Sequence, residues 1–154
     1  MLLVMLTERA AWGSGMHQQE DSHDRPVSAS EPVQVPRAAM VIAEYEIFCE
    51  AVAALVERVP GFEVVALAQT PEDAIRRAGA LHPDIAIVGP PLTAREGFTD
   101  GGRTKLIRAI KDASPSTRIV LLTYQERLEE VQGAIDAGAE GIVEAGGPLE
   151  QFSE

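Results

Sequence analysis

Few residues of this chain combine a reactive side chain with a position at the end of a buried strand. Glu44 follows the first apolar run of the chain, and Thr123 follows the most hydrophobic one. The third such run, Ile85–Val88, ends at Gly89, which has no side chain. One carboxylate with backbone carbonyls predicts at most a weak cation site, because hard cations need several oxygen ligands. No set of nucleophile, base and orienting group can be assembled at these strand ends, so no enzymatic function is expected.

Other ionisable residues are poorly placed to form a site. Asp84 precedes the third strand and is expected at the opposite, amino end of the sheet, while Glu96 and Asp100 fall in a loop rich in proline and glycine. The three histidines are scattered along the chain and predict no metal cluster. The only cysteine, Cys49, excludes an intrachain disulfide and is expected to be a small buried hydrophobe on a helix. We therefore expect no cofactor and no metal. The weak alternative is a cation site at Glu44.

Two glycine pairs could bind an anion through exposed backbone N–H groups. Gly101-Gly102 precedes a predicted helix, and Gly146-Gly147 precedes Pro148. Neither pair has the fuller spacing of a phosphate-binding or dinucleotide-binding loop. The pairs are therefore interpreted as hinges or turns, with an anion site as the alternative.

The composition is that of an ordinary water-soluble α/β domain. Of the 154 residues, 45% are hydrophobic and 5% are aromatic. The formal net charge of −11 leaves no basic stripe to neutralise phosphates, so binding of nucleic acid by this chain alone is disfavoured. The apolar start, Met1–Leu6, is too short to cross a bilayer and lacks the flanking features of a signal peptide. We expect a cytoplasmic protein with no membrane association.

The chain divides into a tail, residues 1–36, and a domain, residues 37–154. The tail is polar and interrupted by prolines, which is typical of disorder, and Met16 is an alternative start. In the domain, short apolar runs alternate with amphipathic stretches, which predicts five strands and four complete helices. The predicted strands are 38–43, 63–68, 85–88, 118–122 and 141–143, and the predicted helices are residues 47 to about 60, 71–81 with Thr70 as cap, 104–113 and 126–137.

Strict alternation of strands and helices predicts parallel strands joined by right-handed crossovers. The fold class is therefore α/β, with a doubly wound parallel sheet of five strands and helices on both faces. In such sheets the functional crevice lies at the carboxyl ends of the strands. A fifth helix is expected from Pro148, but the chain stops at Glu154, so we expect a truncated last helix and one incompletely covered sheet face.

Several segments resemble the receiver domains of bacterial response regulators, specifically those of LuxR-type (NarL-type) transcription factors. The segments are 41–45 with 48–52, 60–65, 82–85, 114–123 and 137–143. No single segment is specific for this fold, but the spacing of all the segments over residues 38 to about 150 is specific for it. The resemblance implies the flavodoxin-like or CheY-like form of the fold and a role in two-component signal transduction.

The resemblance also implies a phosphorylation pocket, from which this chain departs. Receivers bind Mg²⁺ through two acids after the first strand, and Ala43 and Glu44 match that pair. Gly89 replaces the aspartate that accepts the phosphoryl group. Thr123 matches the hydroxyl residue that contacts the phosphoryl group, whereas Ala145 replaces the lysine that stabilises its charge. Acceptor, cation and one metal ligand are lost together, which implies a degenerate, phosphorylation-independent pseudo-receiver.

The leading hypothesis is a regulatory module that forms a homodimer or binds a protein partner. The receivers that it resembles commonly pair through a helix and a strand that correspond here to residues 126–137 and 141–143. The residues of this face are Leu128, Val131, Ile135 and Ile142, and Ile142 also stands where an aromatic switch residue is usual. The alternative for the helix is that its apolar stripe packs on the sheet. Binding to DNA is expected only through a helix-turn-helix domain, which these 154 residues do not contain.

A second hypothesis is a small-molecule sensor. The crevice formed by Glu44, Gly89, Pro90, Thr123 and Ala145 has lost most of the charge that the family carries there. Glycine and alanine are expected to leave room in it for an apolar ligand.

Overall fold

The computed structural model describes residues 34–90, 100–124 and 127–145, and in these ranges strands and helices alternate strictly. The strands are β1 (Arg37–Ile42), β2 (Phe62–Ala68), β3 (Ile85–Val88), β4 (Arg118–Thr123) and β5 (Ala139–Glu144). The helices are α1 (Glu46–Glu57), α2 (Pro71–Leu81), α3 (Asp100–Ala113) and α4 (Leu128–Ala137). The predicted succession of elements is confirmed.

The five strands form one parallel sheet in the order β2-β1-β3-β4-β5. The chain runs from β1 outward to β2 and then returns to the other side of β1 at β3. This is the flavodoxin-like strand order, and its switch point lies between β1 and β3. The predicted fold class is therefore confirmed, and the switch point lies between the strands that end at Ile42 and Val88.

The sheet has a buried core on each face. One core packs side chains such as Ile107 and Ile110 of α3 and Ala134 of α4 against the sheet. The other packs α1, through residues such as Val56, against the opposite face. Because the strands are covered on both sides, their sequences are continuous apolar runs, and both Ile87 and Val88 are fully buried.

Helix α3 begins earlier than the sequence indicated. It starts at Asp100, so Gly101-Gly102 lies inside its first turn rather than in a hinge or turn before it, and the predicted start at Thr104 was wrong. Glycine disfavours a helix interior by about 1 kcal/mol, and tertiary packing overrides such a preference. The packing here comes from Arg103 and Leu106, which are both buried.

The start of α2 is as predicted. The Thr70 side chain accepts a hydrogen bond from the Asp73 N–H at 3.2 Å, and Pro71 occupies the first helical position. The tail up to residue 33, Glu96, Gly146-Gly147 and the helix predicted from Pro148 lie outside the described residues. Within them, no helix is long and apolar enough to span a membrane.

Candidate functional site

The residues predicted to form the degenerate pocket lie at the carboxyl ends of four strands. Ala43 and Glu44 follow β1, Gly89 follows β3, Thr123 ends β4 and Ala145 follows β5. Parallel strands end at the same edge of a sheet, and β1, β3, β4 and β5 are consecutive in it, so the five positions share that edge. Ala145 is exposed, whereas the other four residues are buried. We call this set the strand-end pocket.

The position after β3 has no room for a side chain. A Cβ atom on Gly89 would lie 2.9 Å from the Ala43 Cβ, 3.2 Å from the Phe48 Cε1 and 3.3 Å from the Ile42 carbonyl oxygen. Carbon atoms in contact normally lie about 3.5–4.0 Å apart. The Gly89 N–H also donates to the Ile42 carbonyl at 2.7 Å, which holds the two strand ends together. The expectation that glycine leaves room here was therefore wrong, because Ala43 and Phe48 take up the space.

A buried arginine that was not among the predicted site residues, Arg103, lies at the same edge of the sheet. Arg103, the fourth residue of α3, is 2% exposed. Its Nη1 donates to the carbonyl oxygens of Gly89 and Leu122, each at 3.3 Å. The guanidinium therefore bridges the ends of β3 and β4. Leu106 and Ile107 follow Arg103 by three and four residues, so the helical period could have placed it on the inward face, had α3 been predicted to begin before Thr104.

The other polar members of the pocket are buried too. Glu44 is 2% exposed and Thr123 is 4% exposed. The Thr123 hydroxyl donates to the Val143 carbonyl at 3.4 Å, a long bond to the neighbouring strand. The backbone continues the ladder beside it, since the Ala145 N–H donates to the Thr123 carbonyl at 2.7 Å.

The strand-end pocket does not fit the Mg²⁺ ion of a receiver domain. Mg²⁺ needs nearly octahedral oxygen ligands, whereas the three matched positions supply one carboxylate, that of Glu44. The strand-end carbonyls of Gly89 and Leu122 instead accept hydrogen bonds from a cationic side chain, Arg103. The described part of the chain holds no cluster of three or more His, Cys, Asp or Glu suited to a metal ion.

The predicted interaction face is largely exposed on α4. Leu128 is 82% exposed and Ile135 is 45% exposed, while Val131 is half-buried. The alternative that this stripe packs on the sheet is wrong for Leu128 and Ile135. The side of α4 that meets the sheet carries Ala134 and Ala137 instead. These small residues let the helix lie close to the sheet while its larger apolar residues stay outside.

Ile142 differs from the rest of this face. It is partly buried, pairs with Leu121 across β4 and β5, and packs against the core on the α4 side of the sheet. The exposed part of the face is therefore formed by Leu128 and Ile135, with Val131 at its boundary.

Two further candidates lie where the sequence placed them. The Asp84 Oδ2 accepts a hydrogen bond from the Ala38 N–H at 2.7 Å, at the amino end of β1 and away from the pocket. Cys49 is buried, with its Sγ 3.5 Å from the Ala43 carbonyl oxygen. Burial raises the pKa of the Cys49 thiol, which favours an unreactive structural residue.

Comparison with known proteins places the fold among response-regulator receivers. No protein-family model and no curated sequence matches this chain. A two-component response regulator of the LuxR family from Aurantimonas sp. SI85-9A1 matches with a TM-score of 0.64 and 26% identity, over 76% of this chain and 79% of that one.

Two receiver domains are similar in fold at lower identity. The signal receiver domain of the response regulator NarL from Mycobacterium tuberculosis matches with a TM-score of 0.60 and 20% identity, over 71% of this chain and 83% of that one. The isolated receiver domain of RcsB from Salmonella enterica serovar Typhimurium matches with a TM-score of 0.61 and 20% identity, over 73% of this chain and 80% of that one. The chain thus has the receiver fold, and these similarities support a receiver domain of the response-regulator type.

Proposed function

We propose that this chain is a phosphorylation-independent receiver domain of a bacterial signalling or transcriptional regulator, and that it acts by pairing with a second copy or binding a protein partner. The receiver fold and the similarity to a LuxR-family regulator support the first part. The observation that carries phosphorylation independence is the crowding at Gly89, where neither a carboxylate nor space for one exists. An acyl phosphate needs a carboxyl group, so no covalent step is proposed for this pocket and no enzymatic activity is assigned.

The surface proposed for pairing is the exposed apolar face of α4. Leu128 and Ile135 lie on its outer side, while Ala134 and Ala137 already supply the contact with the sheet. Covering a fully exposed leucine side chain contributes about 1.5–3 kcal/mol, so a partner that covers both residues would gain substantial free energy. With a net charge of −11 on each chain, two copies repel each other, and a homodimer is expected to strengthen as salt screens that repulsion.

The sensor of a small apolar ligand is the weaker proposal. Its premise was free volume at the glycine and alanine positions, and Phe48 and Ala43 occupy that volume beside Gly89. Arg103 brings a charged group to the same place, which is unfavourable for an apolar ligand.

The first test is incubation with Mg²⁺ and acetyl phosphate, followed by intact-mass analysis. We expect no phosphoryl adduct and the same light-scattering mass with and without the phosphodonor. A stable adduct would mean that another carboxylate accepts the phosphoryl group and would overturn the interpretation of Gly89.

The second test locates the pairing surface with two matched variants. Leu128→Asp introduces a charge at a site that is 82% exposed on α4, and Ile47→Asp does the same at a site that is 80% exposed on α1, across the sheet. Light scattering over a range of concentrations should show self-association that Leu128→Asp abolishes and Ile47→Asp preserves. A dimer lost only in Ile47→Asp would move the interface to the α1 side. A wild-type chain that stays monomeric at every concentration would remove the homodimer and leave a different protein as the partner.

A further inference from the structure

A histidine in an unusual backbone conformation follows α2. His82 has a φ angle of 44°, and among the residues that the structure describes it is the only one other than glycine with a positive φ. The left-handed region is unfavourable for a residue that carries a Cβ atom, and glycine is the usual residue at such a helix end. We therefore looked for an interaction that the His82 side chain makes and glycine cannot make.

The His82 ring begins a row of hydrogen bonds through two buried hydroxyl groups. Its Nδ1 lies 3.1 Å from the Ser114 Oγ, which lies 2.7 Å from the Thr117 Oγ1. The Thr117 hydroxyl donates to the Pro83 carbonyl at 2.7 Å. Ser114 and Thr117 are fully buried, whereas His82 is exposed. We call these three bonds the hydroxyl row. It joins the turn after α2 to the turn between α3 and β4.

The number of hydrogen atoms fixes the direction of each bond in the hydroxyl row. A carbonyl oxygen only accepts, so the single hydroxyl hydrogen of Thr117 goes to Pro83. The bond between the two hydroxyl groups must then use the hydrogen of Ser114. Because Ser114 has no second hydroxyl hydrogen, the His82 Nδ1 must carry the proton of the first bond and donate it to the Ser114 Oγ.

The hydroxyl row ends where the chain enters β3, the middle strand of the sheet. Asp84, the residue after Pro83, connects β3 to both of its neighbours. Its N–H donates to the Ala38 carbonyl at 2.9 Å, and its own carbonyl accepts from the Arg118 N–H at 3.0 Å. A bond that fixes the Pro83 carbonyl therefore helps to hold the start of the middle strand between β1 and β4.

We propose that His82 is held in its Nδ1–H form and is the surface donor that orders the hydroxyl row, and with it the entry of the chain into β3. The Nε2 atom is then the unprotonated nitrogen of the neutral ring. This inference goes beyond the proposed function, since it concerns the amino end of the sheet. It depends neither on phosphorylation nor on the partner that binds α4.

The direct test is a long-range ¹H–¹⁵N NMR spectrum of the ring nitrogens in the full chain, at about pH 8.5, where an ordinary imidazole is neutral. The His82→Asn variant identifies the His82 signals by their loss. We expect the His82 ring to be protonated at Nδ1 and unprotonated at Nε2. A ring that is not protonated mainly at Nδ1 would overturn the proposal, because an unprotonated Nδ1 can only accept.

Two variants of equal size test the same direction through stability. The amide of His82→Asn can donate as Nδ1 does, whereas the carboxylate of His82→Asp only accepts, and both residues tolerate the left-handed conformation. We expect the Tm of His82→Asp to be lower than that of His82→Asn by roughly 5 °C.

A Ser114→Ala background separates this effect from the effect of charge. A negative charge at a helix C-terminus is itself unfavourable, and Ser114→Ala removes the acceptor while keeping that charge. The difference in Tm between the two His82 variants should fall by at least half in this background. An equal difference in both backgrounds would count against the proposal. If Ser114→Ala fails to fold, the ring spectrum of the wild-type protein decides the question.

Discussion

Placing a single methyl group at Gly89 tests whether the strand-end pocket is closed by packing. The Gly89 φ angle lies outside the left-handed region, so alanine can adopt this backbone and the cost of Gly89→Ala is steric. The new Cβ would lie 2.9 Å from the Ala43 Cβ and 3.3 Å from a backbone oxygen, neither of which is the end of a flexible side chain. The strand ends must move apart to accept it.

The magnitude follows from two opposing effects. Overpacking a buried site costs about 1–3 kcal/mol. Replacing glycine by alanine recovers about 0.4–1 kcal/mol, because the unfolded chain becomes less flexible. The difference of the two mid-range values is about 1.3 kcal/mol, by which Gly89→Ala should lower the free energy of unfolding. Gly89→Asp should lower it by more, since it adds a buried carboxylate.

Urea unfolding followed by far-UV circular dichroism measures these changes. Repeating Gly89→Ala in an Ala43→Gly background removes the atom at 2.9 Å, so the cost of the added methyl should fall. Gly101→Ala is the matched control, because its Cβ would meet no atom within 4 Å and alanine favours the helix there. A Gly89→Ala protein as stable as the wild type, or a cost unchanged by Ala43→Gly, would refute the view that packing excludes a side chain at this position.

Three further predictions concern the supporting structure. Thr117→Val should cost about 1–3 kcal/mol in a urea titration, because the buried Thr117 hydroxyl donates to the Pro83 carbonyl at 2.7 Å; Thr117→Ser keeps the donor and should lose less. Cys49 should react with a thiol reagent only as fast as the protein opens, because burial raises the pKa of its thiol; rapid labelling of the native protein would contradict this. The Arg77 hydrogen bond to Asp73 is the main cause that holds the Asp73 pKa below its usual 3.8. The ionised Asp73 carboxylate therefore stabilises the fold above about pH 4, and this stabilisation is lost as the pH falls through the lowered pKa of Asp73 in the native protein. Asp73→Asn should make the free energy of unfolding fall slightly less steeply on the acid side. An unchanged acid slope in Asp73→Asn would count against that ion pair.

The sheet could be predicted from the sequence because its local signals agree with one another. Ile85–Val88 is a short apolar run between a polar turn and a glycine, and the structure buries all four of its residues. The start of α2 was equally clear, since Thr70, Pro71 and the acids that follow form a typical helix start. The start of α3 was missed because its first turn contains two glycines, whose low helix propensity is outweighed by packing further along.

The content of the strand-end pocket was harder to predict than its position. Strand order brings Glu44, Gly89 and Thr123 to one edge, and topology alone is enough for that. Whether a glycine there leaves a cavity depends on its neighbours in space, and Phe48 comes from a different element. Arg103 was overlooked because an arginine is normally assigned to solvent. Its helical spacing to Leu106 and Ile107 was the available signal, and its contact with the strand-end carbonyls shows that it is an internal group.

The size of the apolar residues of α4 did not show which of them face the sheet. Its apolar residues occupy a wide sector, and the largest of them were open to two interpretations, packing inward or outward. The structure turns Ala134 and Ala137 to the sheet and leaves Leu128 and Ile135 outside. Large side chains on the inner side would hold the helix further from β4 and β5, so alanines there and larger residues outside are consistent choices. The outer residues are thus not needed for the core, which supports our proposal that α4 contacts another chain through them.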